Sequence, residues 1–419
     1  MKNIDNPRSA ELGFYEECGG YEALRKAYAL TPGRIIEEVR NARLRGRGGA
    51  GFEAAVKWAM AADSPIPERV LVCNAEEGEP GTFKDRELLV HKPHMVLEGM
   101  VIAARAIGAK QGFMCLRYEY PEGRLSILKA ISEAEERGYL GRNILESGQD
   151  FSIKVHVGAG AYICGEETAL LESLEGRRGQ PRIKPPYPAA EGYMGLPTVV
   201  NNVETLCNVP LILVLGAKAY SEIGAPGSPG PKLFPVSGHV CRPGLYELPM
   251  GITLGELIFE HAGGVRGGRK LKGVIPGGIS TPVLTADKLD CRLDFVSVRA
   301  QGSSLGSGAV IVFDERTCMV KVALRTAAFF ERESCGRCTP CREGTGWLRS
   351  VLERIEKGRG RAGDLELLGE VAENMSSTSF CPLGVSAGTV ARSYVDNYRE
   401  EFEAHVARGA CGLPMAGAL

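Results

Sequence analysis

The sequence predicts an α/β protein that ends in a helical bundle, and three observations lead to this fold class. From residue 1 to about 225, helical and strand-like stretches alternate, which favours helices layered on a sheet. Residues 233–315 have the pattern of a small strand–helix–strand module. From about residue 317 the chain turns helical again. We therefore expect three domains, at residues 1–225, 226–316 and 317–419.

The elements of the first region follow from local patterns. Residues 69–73 and 153–157 are short and rich in β-branched side chains, which predicts strands. Residues 21–43 predict a helix interrupted near its Pro-Gly dipeptide. Residues 92–108 carry apolar side chains at helical spacing, which predicts a second helix.

The later regions have equally local signals. Residues 224–232 are rich in glycine, proline and serine, so we expect a linker there. Thr253 and Glu256 form a capping-box pattern that should begin a short helix. Four amphipathic segments joined by short loops predict a small bundle. These segments are residues 317–333, 341–358, 364–375 and 384–408.

Composition excludes several classes of protein. Lys and Arg total 50 and Asp and Glu 51, so no nucleic-acid partner is expected. The most apolar stretch, Val209 to Gly216, is shorter than the roughly 20 residues that a membrane-spanning helix needs. The polar N-terminus has no apolar signal core, so we expect no export and no disulfides. Nine of the thirteen cysteines are scattered singly and are interpreted as small buried residues.

The other four cysteines form a distinctive pattern. A CxxCxxC triplet is followed forty residues later by a single cysteine that precedes proline. These cysteines are Cys335, Cys338, Cys341 and Cys381. A triplet with a remote fourth ligand favours a [4Fe–4S] cluster, whereas structural zinc usually uses two separated pairs. A redox-inert cluster remains an alternative. Arg337 and Arg342 either offset the thiolate charge or are simply solvated.

Glycine-rich residues 45–52 contain a formal GxGxxG pattern. The segment before them is predicted to be helical, and a dinucleotide fingerprint should follow a strand. A phosphate or a flat ring could still lie against this backbone. Lys57 lies one turn inside the following helix and, taken alone, is expected to be a solvated surface lysine.

Three further loops carry polar groups that suit a nucleotide. Residues 74–81 place three carboxylates at the end of a predicted strand, where they would suit ribose hydroxyls or form an acidic surface turn. Residues 158–168 follow a strand and open a helix, with one aromatic ring and two carboxylates. The amides of Asn201 and Asn202 suit the imide edge of a flavin, although such pairs also form turns.

Taken together, these segments resemble the NADH-binding, FMN-containing flavoprotein of respiratory complex I, the family of 51 kDa or F subunits of NADH-quinone oxidoreductases. They occur in order from about residue 20 to 400, so the resemblance covers nearly the whole chain. The segments that carry it are RGRGGAGF, CNAEEGEPGTFKDR, GAGAYICGEETALLESLEG, PTVVNNVETL, ESCGRCTPCREG and SFCPLG.

The resemblance implies a Rossmann-like FMN-binding domain, a small ubiquitin-like β-grasp domain, and a C-terminal four-helix bundle with an iron–sulfur cluster. It implies hydride transfer from NADH to flavin N5, then single-electron transfer to the [4Fe–4S] cluster and onward towards quinone. The alternative is the diaphorase subunit of an NAD-reducing hydrogenase or of an NAD-linked formate dehydrogenase. An alternative from another class of protein is a non-catalytic binding module whose fold is stabilised by a cluster or by zinc.

The resemblance also assigns residues to the cofactors. Expected FMN contacts are Gly46, Gly48, Lys57, Asn74, Glu76, Gly165, Glu166, Asn201, Asn202 and Thr205, with Glu77 and Val200 as further cofactor-binding residues. Expected NADH contacts are Gly49, Phe52, Glu79, Tyr162, Glu167, Lys184 and Tyr187. Among these, Glu79, Glu167 and Tyr162 are expected to align the nicotinamide. The cluster ligands would be the four cysteines of the triplet and its remote partner.

The chain departs from the family pattern at a few positions. It has Glu76-Glu77-Gly78-Glu79 where the family commonly has Asp-Glu-Ser-Glu, and two alanines follow the glycine loop instead of Thr-Gly. Met60 replaces a frequent aromatic, and Tyr187 replaces a phenylalanine. These departures concern the ribose and adenine contacts.

Partners are likewise implied by the resemblance. They are a small thioredoxin-like [2Fe–2S] subunit, forming a heterodimer with this chain, and a larger iron–sulfur subunit. The expected location is the peripheral arm of the complex, on the cytoplasmic face of the inner membrane, or on the matrix side if mitochondrial. Contact with the membrane would be indirect, through the complex.

Overall fold

The computed structural model describes residues 3–411, which divide into two compact units. The first unit contains the residues up to Gly78 together with Phe83–Leu233 and Glu247–Gly251. The second contains Glu79–Thr82, Phe234–Tyr246 and the residues from Ile252 onward. A four-residue segment after the first strand therefore belongs to the second unit.

The first unit alternates helices with strands, as the sequence predicts. Its helices are α1 (Leu12–Glu17), α2 (Glu22–Ala29), α3 (Pro32–Asn41), α4 (Ala54–Ala62), α5 (Lys84–His91), α6 (Pro93–Ile107), α7 (Pro121–Glu136), α8 (Glu167–Leu174), α9 (Val203–Leu215) and α10 (Ala217–Ser221). Its strands are β1 (Val70–Ala75), β2 (Gln111–Arg117), β3 (Ser152–Gly158), β4 (Thr198–Asn202), β5 (Gly224–Ala225) and β6 (Ser228–Pro229).

Four of these strands form a parallel sheet in the order β3-β2-β1-β4. Val70 of β1 lies opposite Gln111 of β2 on one side and Thr198 of β4 on the other. The strands β1, β2 and β4 are almost entirely buried, as expected for a parallel sheet covered by helices. The predicted strands at 69–73 and 153–157 and the predicted helix at 92–108 are confirmed within one or two residues.

Capping and close packing explain two local details of this unit. The predicted break in the first long helix is the gap between α2 and α3. There the Thr31 hydroxyl accepts a hydrogen bond from the Arg34 amide, and Pro32 occupies the first helical position. In α6, a side chain at Gly99 would place its Cβ 2.1 Å from the Leu206 carbonyl oxygen, so only glycine lets α6 pack this closely on α9.

The predicted linker at 224–232 is wrong, because the stretch is a folded hairpin whose second half is largely buried. Its strands β5 and β6 pair antiparallel. The Arg47 guanidinium donates to the Pro229 carbonyl at 2.6 Å. A Cβ at Gly230 would lie 2.1 Å from the Tyr220 hydroxyl. The glycines and prolines of this segment therefore serve close packing and turns rather than flexibility.

The second unit begins with a five-stranded sheet. Its strands are β7 (Pro231–Gly238), β8 (Gly244–Pro249), β9 (Leu271–Ile275), β10 (Leu284–Thr285) and β11 (Val310–Asp314), with a short helix α11 (Ser297–Ala300). The order is β10-β9-β11-β7-β8, so the first and last strands lie side by side, in parallel, at the centre. This arrangement is the expected β-grasp sheet. The division between the two units falls within β7 and β8.

The predicted capping box is confirmed. The Glu256 amide donates to the Thr253 hydroxyl at 3.1 Å, and the Thr253 amide donates to the Glu256 carboxylate at 2.8 Å. The short helical segment Glu256–His261 follows.

The C-terminal part of the second unit is a helical bundle. Its helices are α12 (Met319–Glu333), α13 (Thr339–Glu356), α14 (Asp364–Thr378), α15 (Pro382–Asn397) and α16 (Arg399–Arg408). The first four pack on one another through buried apolar faces, which confirms the predicted bundle. The fourth predicted helix is divided at Tyr398, where α15 ends and the short α16 begins. Within residues 3–411, no helix is both long enough and apolar enough to cross a membrane.

Candidate cofactor sites

The parallel sheet of the first unit has a topological switch point. Strand β1 has β2 on one side and β4 on the other, and Asn74 pairs with Asn202 at the carboxyl ends. Chain connections leave in opposite directions from such a pair and open a crevice, which is where open α/β sheets bind ligands. The predicted residues around 74–77 and 200–202 lie at these two strand ends.

The glycine-rich loop 45–52 connects α3 to α4, which confirms that it does not follow a strand. It is closed by a hydrogen bond from the Gly46 amide to the Phe52 carbonyl at 2.8 Å. A Cβ at Gly49 would meet no atom within 4 Å, and its φ of 145° disfavours other residues. The backbone at Gly49 therefore faces open space.

The same loop lies on the end of β4 and the start of α9. The Arg47 amide donates to the Thr205 hydroxyl at 2.9 Å. A Cβ at Gly48 would lie 3.0 Å from the Asn202 Cβ, so a larger residue would displace the loop. The structure thus brings the predicted Gly48, Asn202 and Thr205 together.

Lys57 does not behave as a solvated surface lysine, so that expectation is wrong. Its ammonium donates to the Val200 carbonyl at 2.5 Å and lies 3.8 Å from the Glu167 carboxylate. Burial lowers the pKa of Lys57, while Glu167 opposes this effect. Lys184 lies 2.8 Å from Glu166 and 3.3 Å from Glu167. Two predicted cofactor-binding lysines and two predicted carboxylates therefore form one charged group.

The two neighbouring asparagines have different tasks. The Trp58 indole donates to the Asn201 side-chain oxygen at 2.8 Å, which fixes the orientation of that amide. The Asn202 side-chain oxygen accepts from the Glu204 amide at 2.9 Å and caps α9. The Asn202 amide nitrogen donates to Asp85 at 2.6 Å. Asn202 is thus held by the protein itself, a role that the sequence does not predict.

A network of buried charges lies beneath the end of β4. The Glu204 carboxylate is 3.1 Å from the Lys84 ammonium and 3.0 Å from the Lys232 ammonium, and Lys84 is also 2.7 Å from Asp85. All four side chains are at most 3% exposed. Burial lowers the pKa of Lys232 to about 8, whereas Asp85 and Glu204 outweigh the effect of burial on Lys84 and raise its pKa. Local sequence patterns did not predict this network, because its main partners are separated by long stretches of chain.

Glu76 is a buried carboxylate at the end of β1. A Cβ at Gly158, the last residue of β3, would lie 2.0 Å from a Glu76 carboxylate oxygen. Burial raises the pKa of Glu76 to about 7, although Arg117 acts in the opposite direction. The Asn74 side chain accepts from the Glu76 amide at 3.1 Å and donates to the Gly165 carbonyl at 2.9 Å. These contacts join the ends of β1 and β3 to the loop that follows β3.

Glu77 lies before helix α5 and caps its first turn. Its carboxylate accepts from the Asp85 amide at 2.9 Å, the Arg86 amide at 3.2 Å and the Tyr120 hydroxyl at 3.0 Å. Burial raises its pKa to about 7, and Asp85 adds to this rise. The protein therefore occupies both oxygens of Glu77, and its predicted contact with a ribose remains a prediction.

The loop 158–168 lies between β3 and α8, as predicted. Glu166 caps α8, because its carboxylate accepts from the amides of Thr168 and Ala169, both at 2.9 Å. A Cβ at Gly78 would lie 3.1 Å from the Tyr162 Cα. The glycine at position 78, one of the departures from the family pattern, thus leaves room for the backbone at Tyr162.

Two predicted NADH contacts are exposed aromatic rings. Phe52 is 54% exposed and Tyr187 is 52% exposed. Most rings of this size are buried in a folded protein, and an exposed ring offers a flat surface on which a base can stack. Both rings are therefore compatible with the predicted contacts.

Glu79 belongs to the second unit. Its carboxylate accepts from the Ser280 amide at 2.6 Å. A Cβ at Gly278, where φ is 99°, would lie 2.5 Å from the Glu79 Cγ. The glycine turn at 276–278 is thus shaped around this side chain, and the expected role of Glu79 beside the nicotinamide remains a prediction.

The four predicted cluster cysteines lie where three helices of the bundle end or begin. Cys335 follows the end of α12, Cys338 is the N-cap of α13, and Cys341 is in the first turn of α13. Cys381 is the N-cap of α15. Burial raises the pKa of the Cys341 thiol to about 11, and the other three thiols add to this rise. Four sulfurs are thus gathered at the positive ends of two helix dipoles, which stabilise thiolates.

Neighbouring groups fit an iron–sulfur cluster. A Cβ at Gly384 would lie 3.0 Å from the Cys341 Cβ and 2.3 Å from the Ser379 hydroxyl, so this glycine lets α15 approach. The buried Ser379 hydroxyl has no hydrogen-bond partner among residues 3–411. A sulfide or thiolate of a cluster would be a suitable acceptor for it.

The two arginines near the triplet are held in place rather than freely solvated. The Arg337 guanidinium lies 4.4 Å from the centroid of the Phe380 ring. Arg342 donates to the Gly336 carbonyl at 3.0 Å and closes the loop between the first two cysteines. Both side chains are nevertheless exposed, and the Arg342 guanidinium also pairs with Glu343 at 2.9 Å, so an offset of the thiolate charge stays a prediction.

A parallel sheet with a polar crevice at its switch point, and a bundle that gathers four thiols, define a redox protein. Its class binds a planar nucleotide cofactor and an iron–sulfur cluster. Comparison with family models agrees with each part. Residues 39–211 match the Nuo51 FMN-binding domain, residues 232–312 an SLBB domain, and residues 321–405 the NADH-ubiquinone oxidoreductase-F iron-sulfur binding region.

Three curated relatives match nearly the whole chain, and each is named as an F subunit of an NADH-quinone oxidoreductase. The one numbered 2 in Rhizobium meliloti (strain 1021) is 51% identical, with 98% of both chains covered. That of Mycobacterium tuberculosis (strain ATCC 25618 / H37Rv) is 48% identical, covering 98% of this chain and 94% of its own. That of Escherichia coli (strain K12) is 46% identical, with 96% and 91% covered. The chain belongs to this family of NADH-quinone oxidoreductase F subunits.

Among solved structures, an NAD+-reducing [NiFe]-hydrogenase in its H2-reduced state is similar, with a TM-score of 0.81 and 42% identity. The match covers 93% of this chain and 64% of the hydrogenase chain. The air-oxidised state gives a TM-score of 0.83, 41% identity, and 96% and 66% coverage. This chain thus spans about two thirds of the length of those hydrogenase chains.

These matches confirm the predicted family, the fold class and the cofactors FMN, NADH and [4Fe–4S]. The iron–sulfur match over residues 321–405, a range that includes the four predicted cysteines, favours an iron–sulfur cluster over zinc in this region. The full-length curated relatives favour the complex I subunit over the hydrogenase diaphorase. No comparison tests the individual cofactor-binding residues, which remain predictions.

Proposed function

We propose that this chain is the NADH-oxidising subunit of an NADH-quinone oxidoreductase, in which FMN takes a hydride from NADH and a [4Fe–4S] cluster carries single electrons onward. The observation that supports this most is the pair of strand ends β1 and β4, where the predicted FMN residues meet a closed glycine loop. Bound FMN would supply the conversion between two-electron and one-electron chemistry.

The residues of the chain contribute binding and orientation. Lys57, held between Val200 and Glu167, is a fixed cation at the crevice, suited to a phosphate or to a flavin that gains negative charge. Asn201, oriented by Trp58, is suited to recognise the polar edge of a flat ring. Tyr162 and Glu167 are assigned to alignment of the nicotinamide. No side chain has to exchange a proton during hydride transfer.

The four cysteines are proposed as cluster ligands, and the three domains at 1–225, 226–316 and 317–419 as the regions for cofactor binding, soluble-ligand binding and electron exit. The curated relatives are named as subunits of a larger oxidoreductase. A small thioredoxin-like [2Fe–2S] subunit, bound as a heterodimer, and a larger iron–sulfur subunit are the proposed partners. The proposed location is the peripheral arm of the complex, on the cytoplasmic or matrix side.

Activity of the purified holoprotein tests this function. The chain alone should carry FMN and reduce ferricyanide with NADH, but it should not reduce quinone without its partners. Lys57→Met should lose most of the bound FMN, because the crevice loses its fixed cation. Lys129→Met is the matched control, because Lys129 is an exposed lysine on α7 that pairs with Glu133 at 3.6 Å. Full quinone reduction by the isolated chain, or a folded purified chain that binds no FMN when FMN is supplied, would contradict the proposal.

The hydrogenase diaphorase is the second candidate, supported by the structural similarity to the NAD+-reducing hydrogenases. Affinity purification of the chain from its own cells separates the two. Co-purification of complex I subunits supports the first function, and co-purification of a nickel-containing subunit supports the second.

A further inference from the structure

Three helix ends meet at one end of the bundle, within the second unit. Cys318 is the N-cap of α12, His405 lies in the last turn of α16, and Cys411 follows two residues after α16 is capped by Gly409. One sulfur or nitrogen atom from each of these three residues lies within 4.8 Å of the others. No sequence motif reveals this group, since its members are 6 to 93 positions apart.

A fourth side chain joins the group from the end of α13. The Glu356 carboxylate oxygen lies 3.7 Å from the Cys318 sulfur and 3.7 Å from the His405 Nε2. The Cys318 sulfur is 3.4 Å from the same Nε2. Zinc bonds of about 2.3 Å to sulfur and about 2.0–2.2 Å to nitrogen or oxygen, in a tetrahedron, separate ligand atoms by about 3.4–3.8 Å. The separations among Cys318, Glu356 and His405 have these values before any metal is added, and Cys411 lies within 4.8 Å of Cys318 and His405.

We propose that Cys318, Glu356, His405 and Cys411 form a structural zinc site that joins the ends of α12, α13 and α16. Two thiolates, an imidazole and a carboxylate are ligands that suit this cation. The site goes beyond the proposed function and is independent of it, because zinc does not change its redox state.

The histidine is oriented as a metal ligand. His405 is buried, and its Nδ1 lies 2.8 Å from the Glu401 carbonyl oxygen. A carbonyl can only accept, so Nδ1 carries the proton and donates it. The Nε2 lone pair is then directed to Cys318 and Glu356. A hydrogen bond from the far ring nitrogen to a carbonyl is the usual outer support of a metal-binding histidine.

Two glycines hold the segment that carries Cys411 in place. Gly358 follows α13 and Gly409 follows α16, and both have positive φ, 68° and 67°. A Cβ at Gly358 would lie 1.8 Å from the Gly409 carbonyl oxygen. The two segments therefore touch through their backbones, which keeps Cys411 beside the end of α13. Because backbone atoms make this contact, it does not depend on side-chain conformation.

The site is separate from the [4Fe–4S] cysteines. Cys318 begins α12, and Cys335 follows its other end seventeen residues later. At about 1.5 Å per helical residue, the two groups of thiols are about 25 Å apart. A metal at the new site should therefore leave the cluster ligands undisturbed.

Metal analysis of the holoprotein tests the proposal. The full chain, with its flavin and cluster, should contain one zinc in addition to the iron of the cluster. In a competition titration with a chromophoric chelator, Cys411→Ser and Cys318→Ser should each weaken zinc binding at least about 10–100-fold, the loss that even outer-shell changes cause. Cys241→Ser is the matched control, because Cys241 is exposed and lies in the same unit. Its zinc affinity should be unchanged.

X-ray absorption at the zinc edge of the unmodified chain gives a second readout that does not depend on variants that fold. Two sulfur and two nitrogen or oxygen neighbours are expected. Four sulfur neighbours would mean that zinc had entered the cluster site, and this result would overturn the proposal. Failure to bind stoichiometric zinc, equal zinc affinity in Cys411→Ser and the unmodified chain, or a Cys318–Cys411 disulfide that persists in reducing buffer with zinc would also overturn it.

Discussion

The buried charge network under β4 allows a quantitative test of how the proposed flavin crevice is supported. Glu204 is 3.0 Å from Lys232 and 3.1 Å from Lys84, and its other oxygen accepts from the Leu233 amide at 2.8 Å. The substitution Glu204→Gln keeps the shape but removes the charge. Lys84 retains Asp85 at 2.7 Å, whereas Lys232 loses the carboxylate that pairs with it.

Removing one partner of a buried ion pair costs about 3–5 kcal/mol, because the other charge is left without compensation. We therefore expect Glu204→Gln to lower the free energy of unfolding of the first unit by this amount, as measured by urea denaturation. Glu353→Gln is the control: Glu353 pairs with Lys357 on an exposed helix face, so its loss should change the free energy of unfolding far less than Glu204→Gln does. Bound flavin should also decrease, since Asn202 and Thr205 lie in the same turn as Glu204.

A second substitution separates lost charge from lost packing. Adding Lys232→Met removes the uncompensated ammonium, and replacing both charges of a buried pair is often neutral or stabilising. The double variant should therefore recover at least about half of the loss, seen as a coupling energy of about 1–3 kcal/mol in a double-mutant cycle. A cost below about 1 kcal/mol for Glu204→Gln, or a double variant no more stable than the single one, would refute the reasoning.

Three further predictions concern the cofactors and pH. Cys381→Ala should lose the electron paramagnetic resonance signal of the [4Fe–4S] cluster while keeping FMN, unlike the exposed control Cys18→Ala; a normal signal would rule out Cys381 as an essential ligand. NADH should give a much higher kcat/KM than NADPH, because the acidic turn at 76–79 repels a 2′-phosphate; equal values would contradict this. The pKa of Glu76 is raised to about 7 in the folded state, so protonation of Glu76 stabilises the fold. This stabilisation is fully present below about pH 4.5 and is lost as pH rises through 7. Glu76→Gln should therefore raise the free energy of unfolding at pH 8 by up to about 3 kcal/mol and change it little near pH 4.5. Exposed Glu122→Gln is the control. Equal effects of Glu76→Gln at both pH values, or an effect as small as that of the control, would exclude the ionisation of Glu76 as the cause.

Local signals in the sequence were sufficient for the elements and for the cluster. The β-branched runs at 69–73 and 153–157 are strands because buried parallel strands need continuous apolar segments. The CxxCxxC triplet was informative because its spacing alone places three sulfurs on one loop. The capping box at Thr253 was predictable for the same reason, since both partners lie within one helical turn.

Long-range contacts were the part that the sequence could not supply. Glu204 meets Lys84 across 120 positions, and Cys318 meets His405 across 87. No periodicity relates such residues, so Lys57 was interpreted as solvated although it contacts Val200. The segment 224–232 was misjudged because glycine and proline suit both flexible linkers and tightly packed turns. Its contacts with Arg47 and Tyr220 show that here these residues form a packed turn and not a flexible linker.

The strand order of the parallel sheet has a consequence for the synthesis of the protein. Strand β1 is complete at Ala75, but its neighbour β4 begins only at Thr198. A chain emerging from the ribosome can therefore pair β1, β2 and β3 early, yet one side of β1 remains an unpaired edge until about 120 further residues have been made. Such edges are prone to wrong pairing. The proposed flavin crevice also needs β4, so on this proposal FMN binds only after the first 205 residues have left the ribosome.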